Sequence, residues 1–235
     1  MTARPKPLVI AIDGPSGSGK SSVSRAVAQR LDLAYLDTGA MYRALTWWCA
    51  QRGVDLEDEA AVALTARDLP LHMGMDPSSS SVQVEGVVID EAIRTREISE
   101  SVSKVATNLQ VRAELCERQR ALIAESVANS GGVVAEGRDI TTVVAPDADV
   151  RILLVASQAA RLTRRATEIH GEAGQAAVNA THDQIVRRDA DDSTVSQFME
   201  AAEGVTLVDT SELDYEQSVD AVLEVVATRT GRRGP

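Results

Sequence analysis

Five short apolar runs punctuate the chain: Leu8–Asp13, Ala34–Thr38, Gly132–Glu136, Val150–Ala156 and Val205–Thr210. They are rich in β-branched residues and run continuously rather than alternating, the pattern of parallel strands covered on both faces. Between them apolar positions recur at helical spacing, over Lys20–Leu31, Met41–Arg52, a long stretch from about Arg96 to Ala128, Ser157–Ile169 and Tyr215–Thr228. Strands alternating with helices predict an α/β fold, a five-stranded parallel sheet flanked by helices. Two regions break the rhythm. Leu69–Asp90 alternates through Val82-Gln-Val-Glu-Gly-Val-Val-Ile with a Glu85-Gly86 turn, which predicts a small antiparallel β element inserted between the second and third core strands. Ile169–Asp192 is polar, Ala-rich and flanked by arginines, the look of a mobile lid and equally of a plain surface loop-helix, and Arg229–Pro235 reads as a frayed tail.

Length and composition narrow the class. The 235 residues suit one α/β domain with insertions, and 44% apolar residues suffice for a sizeable core. The net charge of −11 argues against broad nucleic-acid binding, which needs a basic surface. A small polyanion is still accommodated where cations gather locally. Only Lys6, Lys20 and Lys104 are lysines; the remaining strong cations are arginines, whose planar fork suits bidentate phosphate contacts, although a GC-rich genome produces the same bias. Cys49 and Cys116 sit in helix-like apolar patterns and read as free buried thiols. The histidines His72, His170 and His182 lack metal-ligand spacing. No secretory segment follows Met1 and no apolar run approaches ~20 residues, so a cytoplasmic protein without a membrane span is expected. No sustained heptad appears, which makes a monomer the expectation.

The strongest chemical signal is Gly14-Pro-Ser-Gly-Ser-Gly-Lys20-Ser21, a P-loop pattern set between a strand ending at Asp13 and a helix beginning at Lys20. Such a loop wraps backbone N–H groups around the phosphates of ATP, with the helix N-terminus adding a favourable dipole. Lys20 is expected at the β- and γ-phosphates, and the Ser21 hydroxyl at Mg²⁺. No guanine-reading N-K-x-D follows a later strand, which excludes a regulatory GTPase. The chain is short for a large motor ATPase, which leaves the small-metabolite kinases.

Three segments bear on the acceptor. Asp37-Thr-Gly-Ala-Met-Tyr-Arg43 ends the second strand and places Arg43 on the first turns of a helix at the carboxyl edge of the sheet, where such sheets bind ligands. Gly137-Arg-Asp139 follows the third strand and faces the same crevice, with Glu136 where an acidic residue approaches a Mg²⁺ shell. Ile93-Arg-Thr-Arg-Glu is followed by Ser103 and Arg112 on the long helix, residues that would otherwise pass for a solvated face.

At these residues the chain resembles the bacterial cytidylate kinase family. Six elements occur in order: Gly14–Ser22, Asp37–Arg43, Ala92–Arg94, Ser103–Arg112, Gly137–Val144 and Arg187–Ser193, within a match from about residue 8 to 212. Leu69–Asp90 corresponds to the family's extra β-rich insert. The resemblance implies transfer of the ATP γ-phosphoryl group to CMP or dCMP with Mg²⁺. Both substrates are small molecules, with no nucleic acid or membrane partner. It implies a core of about 1–36, 131–156 and 193–235, an acceptor lobe of about 37–130 and a lid of about 157–192.

The resemblance also assigns residues. Gly14, Pro15, Ser16, Gly17, Ser18, Gly19, Lys20, Ser21 and Ser22 would bind ATP, and Arg161, Arg164 and Arg165 would cover its triphosphate. Arg43 and Arg138 would hold the CMP phosphate, while Thr38, Tyr42, Ser103, Arg112 and Asp139 would form the pocket around the base. Arg188 and Asp192 would approach the sugar, with Arg188 reaching phosphate; Lys20, Arg138 and Arg188 are the catalytic set. An ionised Asp139 is acceptor-only and suits the N4 amino group of cytosine, which uracil replaces with a carbonyl. The chain departs from the family pattern twice: Val195 stands where an arginine is usual, and Thr141 replaces a glycine, so the loop after Asp139 must avoid φ > 0 there. Another P-loop kinase of a small metabolite, or a nucleotide-binding module without catalysis, are the alternatives.

Overall fold

The computed structural model describes residues 6–170 and 189–232. Five parallel strands form the central sheet: β1 (Leu8–Asp13), β2 (Ala34–Asp37), β6 (Gly132–Gly137), β7 (Val150–Val155) and β8 (Thr206–Asp209), in the order β2-β6-β1-β7-β8. β1 lies in the middle, paired with β6 on one side and β7 on the other. Successive side chains of a strand point to opposite faces. Val9 and Ala11 therefore pack with the helices of one face, and Leu8, Ile10 and Ile12 with those of the other. Both faces are covered, which is why these strands read as unbroken apolar runs.

Helix α1 (Lys20–Leu31) follows the P-loop, and α2 (Thr38–Gln51) begins earlier than its apolar pattern, because the Asp37 side chain accepts from the Ala40 amide at 2.8 Å and starts the helix at Thr38. Helix α3 (Glu59–Arg67) was not anticipated; Asp58 caps it through the Ala61 amide at 3.0 Å, and Val62, Ala63 and Ala66 are buried. The stretch expected as one long helix is two, α4 (Arg96–Ala106) and α5 (Leu109–Asn129). Asn108 causes the break: its side chain accepts from the amides of Gln110 and Val111 and restarts the helix. After β6 comes a π-helical turn, Ile140–Val144, then β7, α6 (Gln158–His170), a helical segment at 189–193, β8 and α7 (Tyr215–Thr230). The tail is less frayed than expected. α7 runs through Arg229 and Thr230 and stops on Gly231, whose left-handed backbone (φ 73°) lets its amide bond the Ala227 carbonyl. Most of the expected lid, 171–188, lies outside the described residues.

The inserted element is antiparallel, as its alternation predicted: β3 (Leu71–Gly74), β4 (Ser81–Val84) and β5 (Val87–Val88), with Glu85 and Gly86 both at positive φ in the tight turn. It is tied to the core by the Tyr35 amide donating to the Met75 carbonyl at 2.8 Å. Arg118 of α5 ties it again, donating to the carbonyls of Leu69 (2.7 Å), Ala66 (2.9 Å) and Arg67 (2.8 Å) at the end of α3. Cys49 and Cys116 are buried and not joined in a disulfide. Among the described residues, no helix is long and apolar enough to cross a membrane.

One guanidinium closing three carbonyls makes Arg118 a strong local determinant. Arg118→Ala should lower unfolding stability by about 1–3 kcal/mol, read as a lower urea midpoint at unchanged slope. An unchanged midpoint would show that water satisfies those carbonyls equally well.

Candidate active site

β1 ends at Asp13, and loop 14–19 turns across the carboxyl edge of the sheet before α1 begins at Lys20. Gly19 caps the helix in a left-handed conformation (φ 88°) with no side-chain acceptor, so the first-turn N–H groups are left to an external anion. Gly17 is also left-handed (φ 76°), and a Cβ there would stand 2.6 Å from the Arg161 carbonyl oxygen. Conformation and packing both reserve that position for glycine. Ser16 through Ser22 border a cavity of about 910 Å³, together with Asp37, Arg43, the insert at Gly74 and Ser81, Arg94, Arg138, Arg164, Arg165 and the start of α7. Gly14 and Pro15 do not line it.

Charges of both signs meet beneath the loop. Lys20 Nζ lies 3.9 Å from Glu136 Oε2, and the Tyr35 hydroxyl donates to Glu136 Oε1 at 3.1 Å. Burial and the nearby Asp37 push the Glu136 carboxyl up, against Lys20. Burial also pushes Asp37 upward, but Arg43 and Arg94 outweigh it and hold Asp37 below its usual range. Arg43 Nη2 donates to Asp37 Oδ2 at 2.9 Å, and Arg94 Nη2 lies 3.9 Å from the same oxygen. Among the described residues the buried Nε of Arg43 has no hydrogen-bond partner.

A second, smaller cavity of about 70 Å³ opens beside the first and shares Lys20, Ser21, Asp37, Arg43 and Arg138 with it. Its far wall is polar: Thr38, Tyr42, Arg112, Asp139 and Asp192. Arg112 makes an ion pair with Asp139 and also donates to the Ala106 carbonyl at 3.2 Å. Burial pushes the Asp139 carboxyl up, and Arg112 opposes that. The Thr38 hydroxyl donates to the Glu136 carbonyl at 2.8 Å, leaving it as an acceptor towards the cavity. Arg138 pairs with Asp192 and Asp189 and rests over the Phe198 ring at 4.7 Å.

The sequence-predicted residues therefore separate. Lys20, Ser21, Arg43 and Arg138 converge where the two cavities meet, and Thr38, Tyr42, Arg112, Asp139 and Asp192 line the smaller one. Ser103 does not line it; Val102 and Ala106 of the same helix do. Arg165 borders the large cavity. Arg161 instead donates to the Ser16 carbonyl at 2.9 Å and pairs with Asp189, bracing the loop from behind. Arg164 bonds the carbonyls of Ser18, Thr210 and Leu213 and clamps the loop to the end of β8. Arg188 lies outside the described residues. Sequence reasoning gave no role to Asp37, Arg94 or Asp13. All three sit at or near carboxyl ends of strands or the insert's exit, and their position at the sheet edge was the available signal.

Asp13 explains the Thr141 departure. Its carboxylate is buried below the P-loop and accepts from the Ile140 amide (2.9 Å), the Thr141 amide (2.8 Å) and the Thr141 hydroxyl (2.6 Å). Thr141 has negative φ, since Asp32 and Glu85 are the only non-glycine residues at positive φ among those described. A side chain at 141 is thus accommodated, and it adds a hydrogen bond that glycine lacks. The bond ties the loop carrying Arg138 and Asp139 to the strand that carries the phosphate cradle. Val195, where an arginine is usual, is half-buried in the turn after Asp192, and nothing described replaces the missing cation there.

A cradle sized for a nucleoside triphosphate, joined to a smaller polar cavity through shared cations, defines a P-loop kinase of a small anionic acceptor. The cytidylate kinase profile matches residues 10–228. A cytidylate kinase of Cutibacterium acnes is 49% identical over 222 residues, 94% of this chain and 96% of that one. Its counterpart in Streptomyces avermitilis is 46% identical over 221 residues, 93% and 92% of the two chains. The chain belongs to the cytidylate kinase family. Among solved structures, an uncharacterized protein from Eubacterium ventriosum aligns over 94% of this chain and 99% of its own, with a TM-score of 0.50 and 13% identity, a likeness of fold alone.

Burial raises Asp13 to about 6 from 3.8, against the three hydrogen bonds it accepts. A raised carboxyl pKa means the protonated form is the one the fold favours: its stabilising contribution is complete below 3.8 and is lost as pH rises through about 6. Thr141→Val removes one of the donors that oppose the rise. The Asp13 carboxyl, followed by NMR, should titrate near 6 in the parent and about one unit higher in the variant. Titration near 4 in both proteins would contradict the burial argument.

Proposed function

We propose that the chain transfers the γ-phosphoryl group of ATP to CMP or dCMP, giving ADP and CDP or dCDP. The observation that carries this reading is the Arg112–Asp139 pair in a 70 Å³ cavity that shares Lys20, Arg43 and Arg138 with the cradle. The cavity sets a base-reading acceptor where a phosphate on the same ligand would reach the cations. Asp139, held by Arg112, accepts from the N4 amino group of cytosine; uracil would present a carbonyl to the same carboxylate. Arg43 and Arg138 take the acceptor phosphate, with Arg94 supporting Arg43 through Asp37.

No general base is needed. An oxygen of the CMP phosphate, already anionic near pH 7, forms a bond to the γ-phosphorus. The bond from that phosphorus to the bridging oxygen breaks, and ADP leaves with the electron pair. What the protein must supply is alignment and relief of repulsion between two polyanions. The first-turn amides of α1 and Lys20 hold the donor phosphates; Arg43 and Arg138 hold the acceptor. The residues present suit Mg²⁺: Ser21 presents a hydroxyl at the helix start, and the Glu136 and Asp37 carboxylates stand behind it. Among the described residues there is no group of three acidic, His or Cys ligands, so the ion would come with ATP and be completed by Ser21. Bound there, Mg²⁺ neutralises charge on the donor phosphates. This reading takes the protein to be a monomer acting in the cytoplasm.

Coupled assays with CMP, dCMP, UMP, AMP and shikimate should show turnover with CMP and dCMP far above the rest; strong AMP or shikimate turnover with none on CMP would sink the reading. Lys20→Ala should abolish transfer while circular dichroism shows an intact fold, and near-parental turnover would refute its role. Asp139→Asn should cut kcat/KM for CMP by about 100-fold or more, with a smaller loss for UMP. Equal losses for both bases would remove Asp139 from base recognition.

A further inference from the structure

Asp189 opens the helical segment at 189–193 and is only 7% exposed. Three groups converge on its carboxylate. Oδ1 accepts from the Ser16 amide of the P-loop at 3.2 Å and lies 3.2 Å from Arg138 Nη2; Oδ2 accepts from Arg161 Nη1 at 2.5 Å. That Arg161 nitrogen also donates to the Ser16 carbonyl at 2.9 Å, so Ser16 is gripped through both its backbone groups. Ser193 adds a hydrogen bond from its hydroxyl to the Asp189 carbonyl at 2.5 Å, steadying the backbone that presents the carboxylate.

The two arginines arrive from different sides. Arg138 follows β6 and borders both cavities, whereas Arg161 belongs to α6 and braces the donor loop. Two guanidiniums brought together with no anion between them would repel and splay. A carboxylate with one oxygen towards each fixes the direction of both planar forks and links them to the loop's backbone. Asp192 grips Arg138 from the same helical segment, so that cation is held between two carboxylates one turn apart.

We propose that Asp189 is a positioning residue for phosphoryl transfer: it sets Arg138, on the acceptor side, in register with the P-loop at Ser16, on the donor side, so that the two phosphates meet in line. It touches no transferring atom and acts through Arg138, Arg161 and Ser16. The proposal rests on the phosphotransfer reading above. A purely structural tether would contribute stability without a specific effect on the chemical step. A carboxylate that merely obstructed the anion cradle would weaken ATP binding.

Asp189→Asn and Asp189→Glu separate these possibilities in the full-length enzyme with ATP, Mg²⁺ and CMP. With kcat referred to folded enzyme, Asp189→Asn should lose about 100-fold, the penalty for reacting groups displaced by about 1 Å. The KM values and calorimetric affinities for ATP and CMP should stay within about threefold, and Asp189→Glu should recover at least about tenfold of the lost kcat. An unchanged kcat with a lower melting midpoint would reduce Asp189 to a structural tether and overturn the proposal. So would tighter ATP binding with undiminished kcat. A second arm needs no turnover: in ligand-free Asp189→Ala, hydrogen-exchange protection of the Ser16 amide should fall, and unchanged protection would remove the link to the donor loop. If the parent protein phosphorylated none of the acceptors, the function assigned above would fail while this arm still reported on the clamp.

Discussion

The candidate site is governed by one constraint: a cation withdrawn from water has to be paired, and this chain pairs five cations in and around the site with carboxylates. Arg43 is held by Asp37, Arg112 by Asp139, Arg138 by Asp189 and Asp192, Arg161 by Asp189, and Lys20 stands beside Glu136. Apart from Arg43–Asp37, which lies within one helix start, each pair joins segments distant in sequence, so the charge network doubles as a scaffold. The net charge of −11 is compatible with a polyanion site because the carboxylates at that site, Asp37, Glu136, Asp139, Asp189 and Asp192, are partners of its cations.

Most of the fold was legible from hydrophobic pattern. The central strands are buried on both faces and can be read as unbroken apolar runs, and the insert's alternation reads as an antiparallel element. The misplaced boundaries trace to single polar side chains. Asp37 and Asn108 start helices by accepting backbone amides, and Asp58 starts one whose apolar stripe of Val62, Ala63 and Ala66 is too short to stand out. Apolar periodicity does not register these contributions, since a cap stabilises one turn whatever the pattern beyond it.

The site was legible in part, and the division is physical. The P-loop declares itself because phosphate contact is made by backbone, which forces glycines at fixed spacing. Arg43, Arg112, Arg138 and Asp139 were found through the family's ordered motifs, not through any property of an isolated arginine. Asp13, Arg94 and Asp189 escaped because their roles exist only through partners brought close by folding: Asp13 is 128 residues from Thr141 and Asp189 is 173 from Ser16. Thr141 shows the same point from the other side. Read in sequence it is a β-branched intruder at a glycine position, but in three dimensions its hydroxyl is a third donor to Asp13.

Paired cations also shape what the site does with its ligands. Guanidiniums without partners would seize any phosphate, product included, and tight binding of ground states does not accelerate the chemical step. On the proposed assignment, a phosphate arriving at Arg43 or Arg138 would share or displace a carboxylate already in place. Binding therefore exchanges one anion for another, and the net gain is smaller than the bare attraction. On that assignment the site is suited to the moment when the γ-phosphoryl group passes between donor and acceptor with its charge spread over three equatorial oxygens. On the proposed assignment, carboxylate pairing would limit affinity for CMP and CDP while keeping the forks of Arg43 and Arg138 directed at the acceptor phosphate, through the contacts each makes with Asp37, Asp189 and Asp192.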